Sequence, residues 1–237
     1  MFHLCIIEAG FINPALTKQY PSYSEMFSEF LKTNTRNWKV TSYDIYNNNF
    51  PSNLDFYDGF LITGSSFGVY ENYNWIIQTI RIINNILDKN KQIVGICFGH
   101  QIIAQAVNGL VEKSSNGWGL GIKKIMFHKQ KPWFRNKVDN IRLISFHQDQ
   151  VVKIPDYVDH LGGNSFCKYY SLGVENFLFT LQGHPEFSNK YALDLLNLRR
   201  QSIGEERYLK NKHALQNQTH DGKLVSNLIT NFLEKNF

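Results

Sequence analysis

A cysteine between two glycines, in the segment GICFG at 95–99, is the residue of this sequence best suited to nucleophilic chemistry. It follows a short apolar run, 91–96, and precedes a segment with helical periodicity, 99–108. The pattern G-x-C-x-G at a strand-to-helix junction is the thiol form of the nucleophile elbow, a tight turn at the carboxyl end of a sheet. The amides and the positive dipole end of the following helix favour the thiolate, which is the reactive form. We therefore predict that Cys97 is a nucleophile.

A nucleophilic cysteine needs a base, and three histidines are candidates: His100, His147 and His184. His100 lies on the predicted helix that follows Cys97, so we expect it to point into the sheet or sideways. His184 belongs to the tetrapeptide GHPE, directly after the strand pattern 177–182. Residues two apart in an extended segment share a face, so His184 and Glu186 can point the same way. A carboxylate beside an imidazole orients it and stabilises the imidazolium. The predicted catalytic residues are therefore Cys97 as nucleophile, His184 as base and Glu186 as the carboxylate that orients the base.

An acyl-transfer site also needs hydrogen-bond donors for the charge that develops on the carbonyl oxygen. The amide of Phe98, directly after the predicted nucleophile, is one such donor. The segment Gly64-Ser65-Ser66, which follows the strand pattern 58–63, is the candidate source of the second donor. That strand is predicted to neighbour the strand that leads to Cys97, so both would end at the same crevice.

Short apolar runs alternate with amphipathic segments in the first half of the sequence. Strands are predicted at 2–8, 38–45, 58–63 and 91–96, and helices at 22–33, 73–89 and 99–108. This alternation predicts an α/β fold, with a mainly parallel central sheet and helices on both faces. Further strand patterns in the second half are expected to add antiparallel strands: 119–128, 141–147, 157–161, 168–174 and 177–182. A helix at 187–202, a polar stretch and a helix at 222–235 follow. No repeat or linker divides the sequence, so we expect one domain over 1–237.

The composition is typical of a globular protein with a sizeable core. Of 237 residues, 43% are hydrophobic and 19% charged, which excludes a disordered chain. No apolar run approaches the roughly 18 residues that cross a bilayer, and the first residues lack the basic region of a signal peptide. The three cysteines are odd in number and widely separated, which argues against a disulfide framework and favours a cytoplasmic location. They include no CxxC pair, which argues against a zinc ribbon or a thioredoxin-like motif. Cys5 and Cys167 lie within strand patterns and are expected to be structural.

The formal net charge of +5 indicates a basic surface. The stretch 123–137 contains six lysine and arginine residues and no acidic residue. It is either a solvated edge or a docking face for an acidic partner or a carboxylate-rich substrate. Nucleic-acid binding would need an aromatic platform, for which Trp133 and Phe134 are the candidates, and we do not expect it.

Four segments together resemble the class I glutamine amidotransferases. They are ITGSSFGVYE at 62–71, GICFGHQIIAQAVNG at 95–109, HQDQV at 147–151 and QGHPEF at 182–187. Their order and spacing match the family, and the resemblance covers roughly residues 55–190.

The resemblance implies a Cys-His-Glu triad. Cys97 would be the nucleophile, His184 the base and Glu186 the residue that orients it. The amides of Gly64 and Phe98 would form the oxyanion hole, and Gln101 would help to hold the glutamyl group. The reaction would be hydrolysis of a γ-glutamyl amide through a cysteine thioester. No metal or organic cofactor is expected, because the two His-x-acid pairs have no further ligand cluster near them in sequence.

Two kinds of relative remain open. Solitary, GMP-synthase-like members read TGS, as here, where many synthetase-linked members read Gly-Gly-Pro; some act as γ-glutamyl peptidases on small molecules. Alternatively, the protein is a glutaminase subunit that delivers ammonia to a separate synthetase, since no synthetase domain or P-loop is visible. A non-catalytic binding or regulatory module on the same fold is a third reading, against which the intact triad argues.

Overall fold

The computed structural model describes residues 1–35 and 37–235. The described residues form a nine-stranded mixed sheet and a small two-stranded sheet. The strands are β1 (Phe2–Glu8), β2 (Trp38–Asp44), β3 (Gly59–Ile62), β4 (Gln92–Ile96), β5 (Leu110–Lys113), β6 (Gly119–Phe127), β7 (Asn140–His147), β8 (Asp149–Lys153), β9 (Asp159–Gly163), β10 (Ser171–Val174) and β11 (Leu178–Leu181). The large sheet has the order β2-β1-β3-β4-β11-β10-β9-β6-β7, and β5 pairs with β8.

One side of the large sheet is parallel and the other antiparallel. Strands β2, β1, β3, β4 and β11 run parallel to one another, whereas β10, β9, β6 and β7 continue the sheet from β11 with antiparallel pairs. This confirms the predicted α/β fold, with parallel core strands and antiparallel strands from the second half of the sequence. The strand predicted at 177–182 is an exception: it was expected to be antiparallel, but β11 pairs in parallel with β4 and is antiparallel only to β10.

Helices cover both faces of the sheet. They are α1 (Tyr23–Lys32), α2 (Asn74–Asp88), α3 (Phe98–Ala106), α4 (Asn189–Leu198), α5 (Arg200–Ile203), α6 (Glu205–Asn217) and α7 (Gly222–Leu233). Helix α1 begins sharply because Ser22 and Glu25 form a reciprocal capping box. No helix within the two described ranges is both long and apolar enough to cross a membrane.

Strand β1 has consecutive apolar residues because both of its faces are buried. Leu4 and Ile6 belong to one buried cluster, with residues of α1 and α7, while Cys5 and Ile7 belong to the other, with residues of α2 and α3. Successive side chains of a strand point to opposite faces, so a strand covered on both faces has no polar side to show. Cys5 is therefore a core residue, as predicted.

Three further features of the second half differ from the sequence prediction. The helix predicted at 187–202 is divided at Arg199 into α4 and α5. The polar stretch contains α6, which buries only Tyr208 and Leu215. Strands β5 and β8 were not predicted; each is short and about half exposed, so hydrophobic alternation is weak there.

The basic stretch 123–137 packs against the body of the protein. Lys129 and Lys131 each lie 2.5 Å from an oxygen of Asp159, so part of its charge is neutralised. Trp133 is fully buried and packs against Phe232 with ring centroids 5.0 Å apart. A buried indole offers no platform on which a nucleic-acid base could stack.

Candidate active site

Cys97 occupies the turn between β4 and α3. Its backbone has φ 54° and ψ −102°, a conformation that L-residues rarely adopt and that is found at strained functional turns. The turn needs glycine at 99, because a Cβ atom there would collide with the carbonyl oxygen of Ile62 at the end of β3. The Gly99 amide instead donates a hydrogen bond to Thr63 O at 3.1 Å, which ties α3 to the neighbouring strand.

Strand pairing brings the histidine segment to the same edge of the sheet. Strands β4 and β11 are parallel neighbours with Ile96 opposite Leu181, and the Cys97 amide donates to Leu181 O at 2.9 Å. Three residues after β11, the His184 amide donates to Ile144 O at 2.8 Å, which fixes the backbone of that segment. Cys97 and His184 therefore follow two adjacent parallel strands and lie at the same edge of the sheet.

The side chains of His184 and Glu186 form a buried pair. The imidazole Nδ1 lies 2.8 Å from Glu186 Oε1, and the carboxylate is fully buried. The Cys97 sulfur lies close enough to the imidazole to raise its pKa. The structure thus brings together the three residues of the predicted triad in the order Cys97, His184, Glu186.

The charge of His184 depends on this pair. Burial alone would lower its pKa, but the nearby Glu186 carboxylate and the Cys97 sulfur outweigh burial and raise the pKa well above 6.5. His184 is consequently an imidazolium at neutral pH, the form that can give a proton to a leaving amine.

The other two candidate histidines have different surroundings. His100 is fully buried, and its Nδ1 lies 2.8 Å from Thr180 Oγ1 on β11, so it points into the sheet. His147 lies near the site, with Nδ1 3.1 Å from Asp149 O. Burial lowers the pKa of His100 to about 3 and that of His147 to about 4, so both are neutral.

The two predicted oxyanion donors also lie at Cys97. Phe98 is the first residue of α3, and the first amides of a helix have no acceptor within it. A Cβ atom added to Gly64 would lie 2.8 Å from His184 Cε1 and 3.6 Å from Cys97 Cβ. The Cα atom of Gly64 therefore faces both side chains, and no space is left there for a side chain of its own.

Gln101 lies one helical turn after Cys97. Its side-chain amide donates to Asp149 O at 2.9 Å and to Gln182 Oε1 at 3.1 Å. Gln182 Nε2 in turn lies 3.6 Å from Cys97 Sγ. Gln182 was not predicted as a site residue, although it opens the QGHPEF segment. The two glutamines connect the cysteine to the loop at Asp149.

Cys97 lines a cavity of about 250 Å³, and the contacts among the other lining side chains divide them into a polar end and an aromatic end. The polar end contains Tyr70, Glu71, Lys113 and Asp149. There, burial raises the pKa of Asp149, while the Tyr70 hydroxyl and the Lys113 charge act in the opposite direction.

The second end of the cavity is aromatic, with one cation. Its side chains are Tyr23, Trp118, Phe146, Phe187, Leu195 and Arg199. Within the described part of the chain, no residue of 123–137 lines this cavity, so that stretch does not meet a substrate here. No cluster of three histidine, cysteine or acidic side chains able to hold a metal occurs in the same ranges.

The sequence model of the family "Glutamine amidotransferase class-I" matches residues 16–196, and the chain belongs to this family. Gamma-glutamyl peptidase 4 of Arabidopsis thaliana is 29% identical in an alignment of 227 positions that covers 92% of this chain and 90% of that protein. A subunit of the glutamine-hydrolysing GMP synthase of Methanoculleus marisnigri is 30% identical over 114 residues, 48% of this chain and 61% of that one.

Solved structures share the fold at low sequence identity. A glutamine amidotransferase of Thermotoga maritima superposes with a TM-score of 0.76 and 18% identity, covering 98% of each chain. A putative GMP synthase subunit of Thermoplasma acidophilum gives a TM-score of 0.61 at 16% identity, covering 99% and 98%. These likenesses support the fold and not the substrate.

Proposed function

We propose that this protein hydrolyses the γ-glutamyl amide bond of small γ-glutamyl peptides through a thioester on Cys97. The observation that carries the proposal is the contact of Cys97 with an imidazole whose Nδ1 lies 2.8 Å from a buried carboxylate, Glu186. A nucleophile, a base and a residue that orients the base are what covalent acyl transfer needs.

In the first half of the reaction, Cys97 Sγ attacks the side-chain carbonyl carbon of the γ-glutamyl group as a thiolate. The negative charge moves to the carbonyl oxygen, where the amides of Gly64 and Phe98 stabilise it. His184 gives its proton to the nitrogen as the C–N bond breaks. An amine leaves, and the glutamyl group remains on sulfur as a thioester.

In the second half, neutral His184 removes a proton from water as the water attacks the thioester carbon. The same amides stabilise the second oxyanion. The C–S bond breaks, glutamate leaves, and the proton returns the thiolate–imidazolium pair. Glu186 stabilises the imidazolium at each stage without itself taking the proton.

The polar end of the cavity has charges that suit a glutamyl group. The α-ammonium and α-carboxylate of that group carry opposite charges a few bonds apart. Glu71 and Asp149 provide carboxylates for the ammonium, and Lys113 provides an ammonium for the carboxylate. Gln101 fixes the Asp149 backbone through its 2.9 Å hydrogen bond and so holds this end of the cavity in place.

The aromatic end favours a peptide over glutamine. Ammonia is no larger than water and would leave these side chains without a function. A peptide leaving group would fill the space. The names of the similar Arabidopsis proteins, gamma-glutamyl peptidases 4 and 3, agree with this choice.

The test is to incubate the isolated protein with glutamine and, separately, with a γ-glutamyl dipeptide, and to measure ammonia and free glutamate. We expect peptide turnover clearly above glutamine turnover, and none with Cys97→Ala. Cys167→Ala is the matched control, because Cys167 is a second buried cysteine and does not line the cavity. If the isolated protein hydrolysed neither substrate and a cell-extract fraction restored glutaminase activity, the protein would be a partner-dependent glutaminase and the proposal would be wrong. Substrate binding with no turnover under either condition would favour a non-catalytic module.

A further inference from the structure

Arg199 is the cation of the aromatic end of the cavity. Its guanidinium carbon lies 5.4 Å from the ring centre of Trp118, whose ring packs edge-on against Phe146 at 5.8 Å. Across residues 1–35 and 37–235, no carboxylate lies within ion-pair distance of this guanidinium. A guanidinium over an indole ring is attracted to the ring face without using its N–H donors, and those donors can bind a carboxylate through two hydrogen bonds.

Arg199 lies on the side where the leaving group must depart. His184 gives its proton to the leaving nitrogen, so the leaving group extends along the His184 side of Cys97. Phe187 stacks on that imidazole with ring centroids 3.9 Å apart. Leu195 and Arg199, one helical turn apart at the end of α4, continue the same wall of the cavity. The wall therefore runs from the proton donor to the guanidinium.

A short peptide leaving group can extend from the reacting groups toward Arg199, because Cys97, His184 and Arg199 line the same cavity of about 250 Å³. A two-residue leaving group extends at most about 7 Å from the reacting nitrogen, so its terminal carboxylate lies beyond the imidazole, in the part of the cavity that Arg199 lines. Ammonia has no such extension and would stay at His184.

We propose that Arg199, held on Trp118, binds the terminal carboxylate of a γ-glutamyl peptide and makes the enzyme prefer peptides with a free carboxyl terminus. The inference rests on the proposed function. It also assigns to Arg199 the attraction for substrate carboxylates that the sequence suggested for 123–137. The rival role for Arg199 is structural, as a cation at the carboxyl end of α4 that stabilises the helix dipole.

The experiment compares γ-Glu-Cys-Gly with its carboxyl-terminal amide, using wild type and Arg199→Gln. We expect the wild type to prefer the free acid by about tenfold in kcat/KM, a difference that one charge-assisted contact can supply. Arg199→Gln is expected to lose this preference through a higher KM for the acid, with the amide unchanged. Arg200→Gln is the matched control, since Arg200 pairs with Glu205 and does not line the cavity; it should retain the preference. Equal loss on both substrates, or an unchanged preference in Arg199→Gln, would overturn the inference.

A binding measurement separates failure of this inference from failure of the proposed function. Calorimetric titration of the Cys97→Ala variant with the same two peptides needs no turnover. We expect the acid to bind about tenfold tighter than the amide, and the added change Arg199→Gln to remove the difference. If this difference in binding were found but the wild type hydrolysed neither peptide, the proposed function would be overturned and the role of Arg199 would stand. Equal binding of acid and amide by Cys97→Ala would overturn the role of Arg199.

Discussion

The imidazole of His184 lies flat against the ring of Phe187, with centroids 3.9 Å apart and an angle of 9° between the planes. Phe187 is itself held edge-on by Tyr191 at 4.6 Å. The stack fixes the plane of the imidazole, while the 2.8 Å contact with Glu186 fixes its rotation in that plane. With both contacts in place, the imidazole presents one edge to Cys97. Phe187 bears no reactive group, so its role is to position His184.

Phe187→Leu should therefore lower kcat by about tenfold, because a near-attack geometry held less firmly is populated less often. The measurement is kcat on a γ-glutamyl dipeptide, with the free energy of unfolding from urea titration. Phe134→Leu is the control, since Phe134 is equally buried but packs against Phe127 and Phe179 in the core. It should lose stability and retain kcat. A Phe187→Leu variant with unchanged kcat would show that the stack does not position His184.

Gly64→Ala should lower kcat by more than about tenfold, comparable to the loss of an oxyanion donor. The added methyl group would lie 2.8 Å from His184 Cε1, so either the imidazole or the Gly64 backbone must move. Either movement separates the proton donor from the predicted oxyanion hole. Steady-state kinetics would detect this loss.

The control for Gly64→Ala is Gly173→Ala in β10. A methyl group there meets the flexible end of Leu161 at 2.9 Å, away from the cavity. We expect it to cost stability and leave kcat unchanged. If Gly64→Ala were as active as Gly173→Ala, the close contact at Gly64 would have no catalytic meaning.

Glu186→Gln should shift the alkaline side of the kcat/KM profile to lower pH. In the wild type the raised pKa keeps His184 protonated through neutral pH, so activity falls only as pH rises through that raised value. Without the carboxylate, burial dominates and the pKa falls. The raised pKa of His184 also makes the stability of the folded protein depend on pH. Because the folded pKa lies above the unfolded value of 6.5, the stabilisation is complete below about pH 6.5 and is lost as pH rises through the folded pKa.

Two measurements check this prediction: the pH dependence of kcat/KM, and urea unfolding of both proteins from about pH 6 upward. The stability difference between wild type and Glu186→Gln should be about 3 kcal/mol at the acid end, the usual cost of breaking a buried pair, and should shrink toward alkaline pH. A difference that grows with pH, or an unmoved alkaline limb, would mean that Glu186 does not hold the proton on His184.

Alkylation by iodoacetamide at neutral pH should label Cys97 before the other two cysteines. Burial raises the pKa of Cys5 and of Cys167 to about 12, and both are fully enclosed in the core. Cys97 lines the cavity beside an imidazolium. Peptide mapping after brief labelling reads the order, and His184→Asn should slow labelling at Cys97 alone. Faster labelling of Cys5 or Cys167 would contradict the assignment of the nucleophile.

The sequence was informative wherever the physical signal is local. Strands β1, β3 and β4 are buried on both faces, so their apolar runs were visible, and the glycines around Cys97 marked the tight turn. Helix α6 was missed because two buried residues among 13 give little periodicity. Arg199 could not be predicted, since its contact with Trp118 joins residues 81 positions apart across two packed elements.

The central claim is a glutamyl thioester on Cys97, and mass spectrometry of acid-quenched protein during turnover tests it most directly. Acid stops deacylation by protonating the base, so the intermediate should be retained on the proteolytic peptide that contains Cys97. We predict one glutamyl group on that peptide with a γ-glutamyl dipeptide as substrate, and none in Cys97→Ala or without substrate. Sustained glutamate release with no adduct at Cys97, or with an adduct on Cys5 or Cys167 instead, would contradict the account.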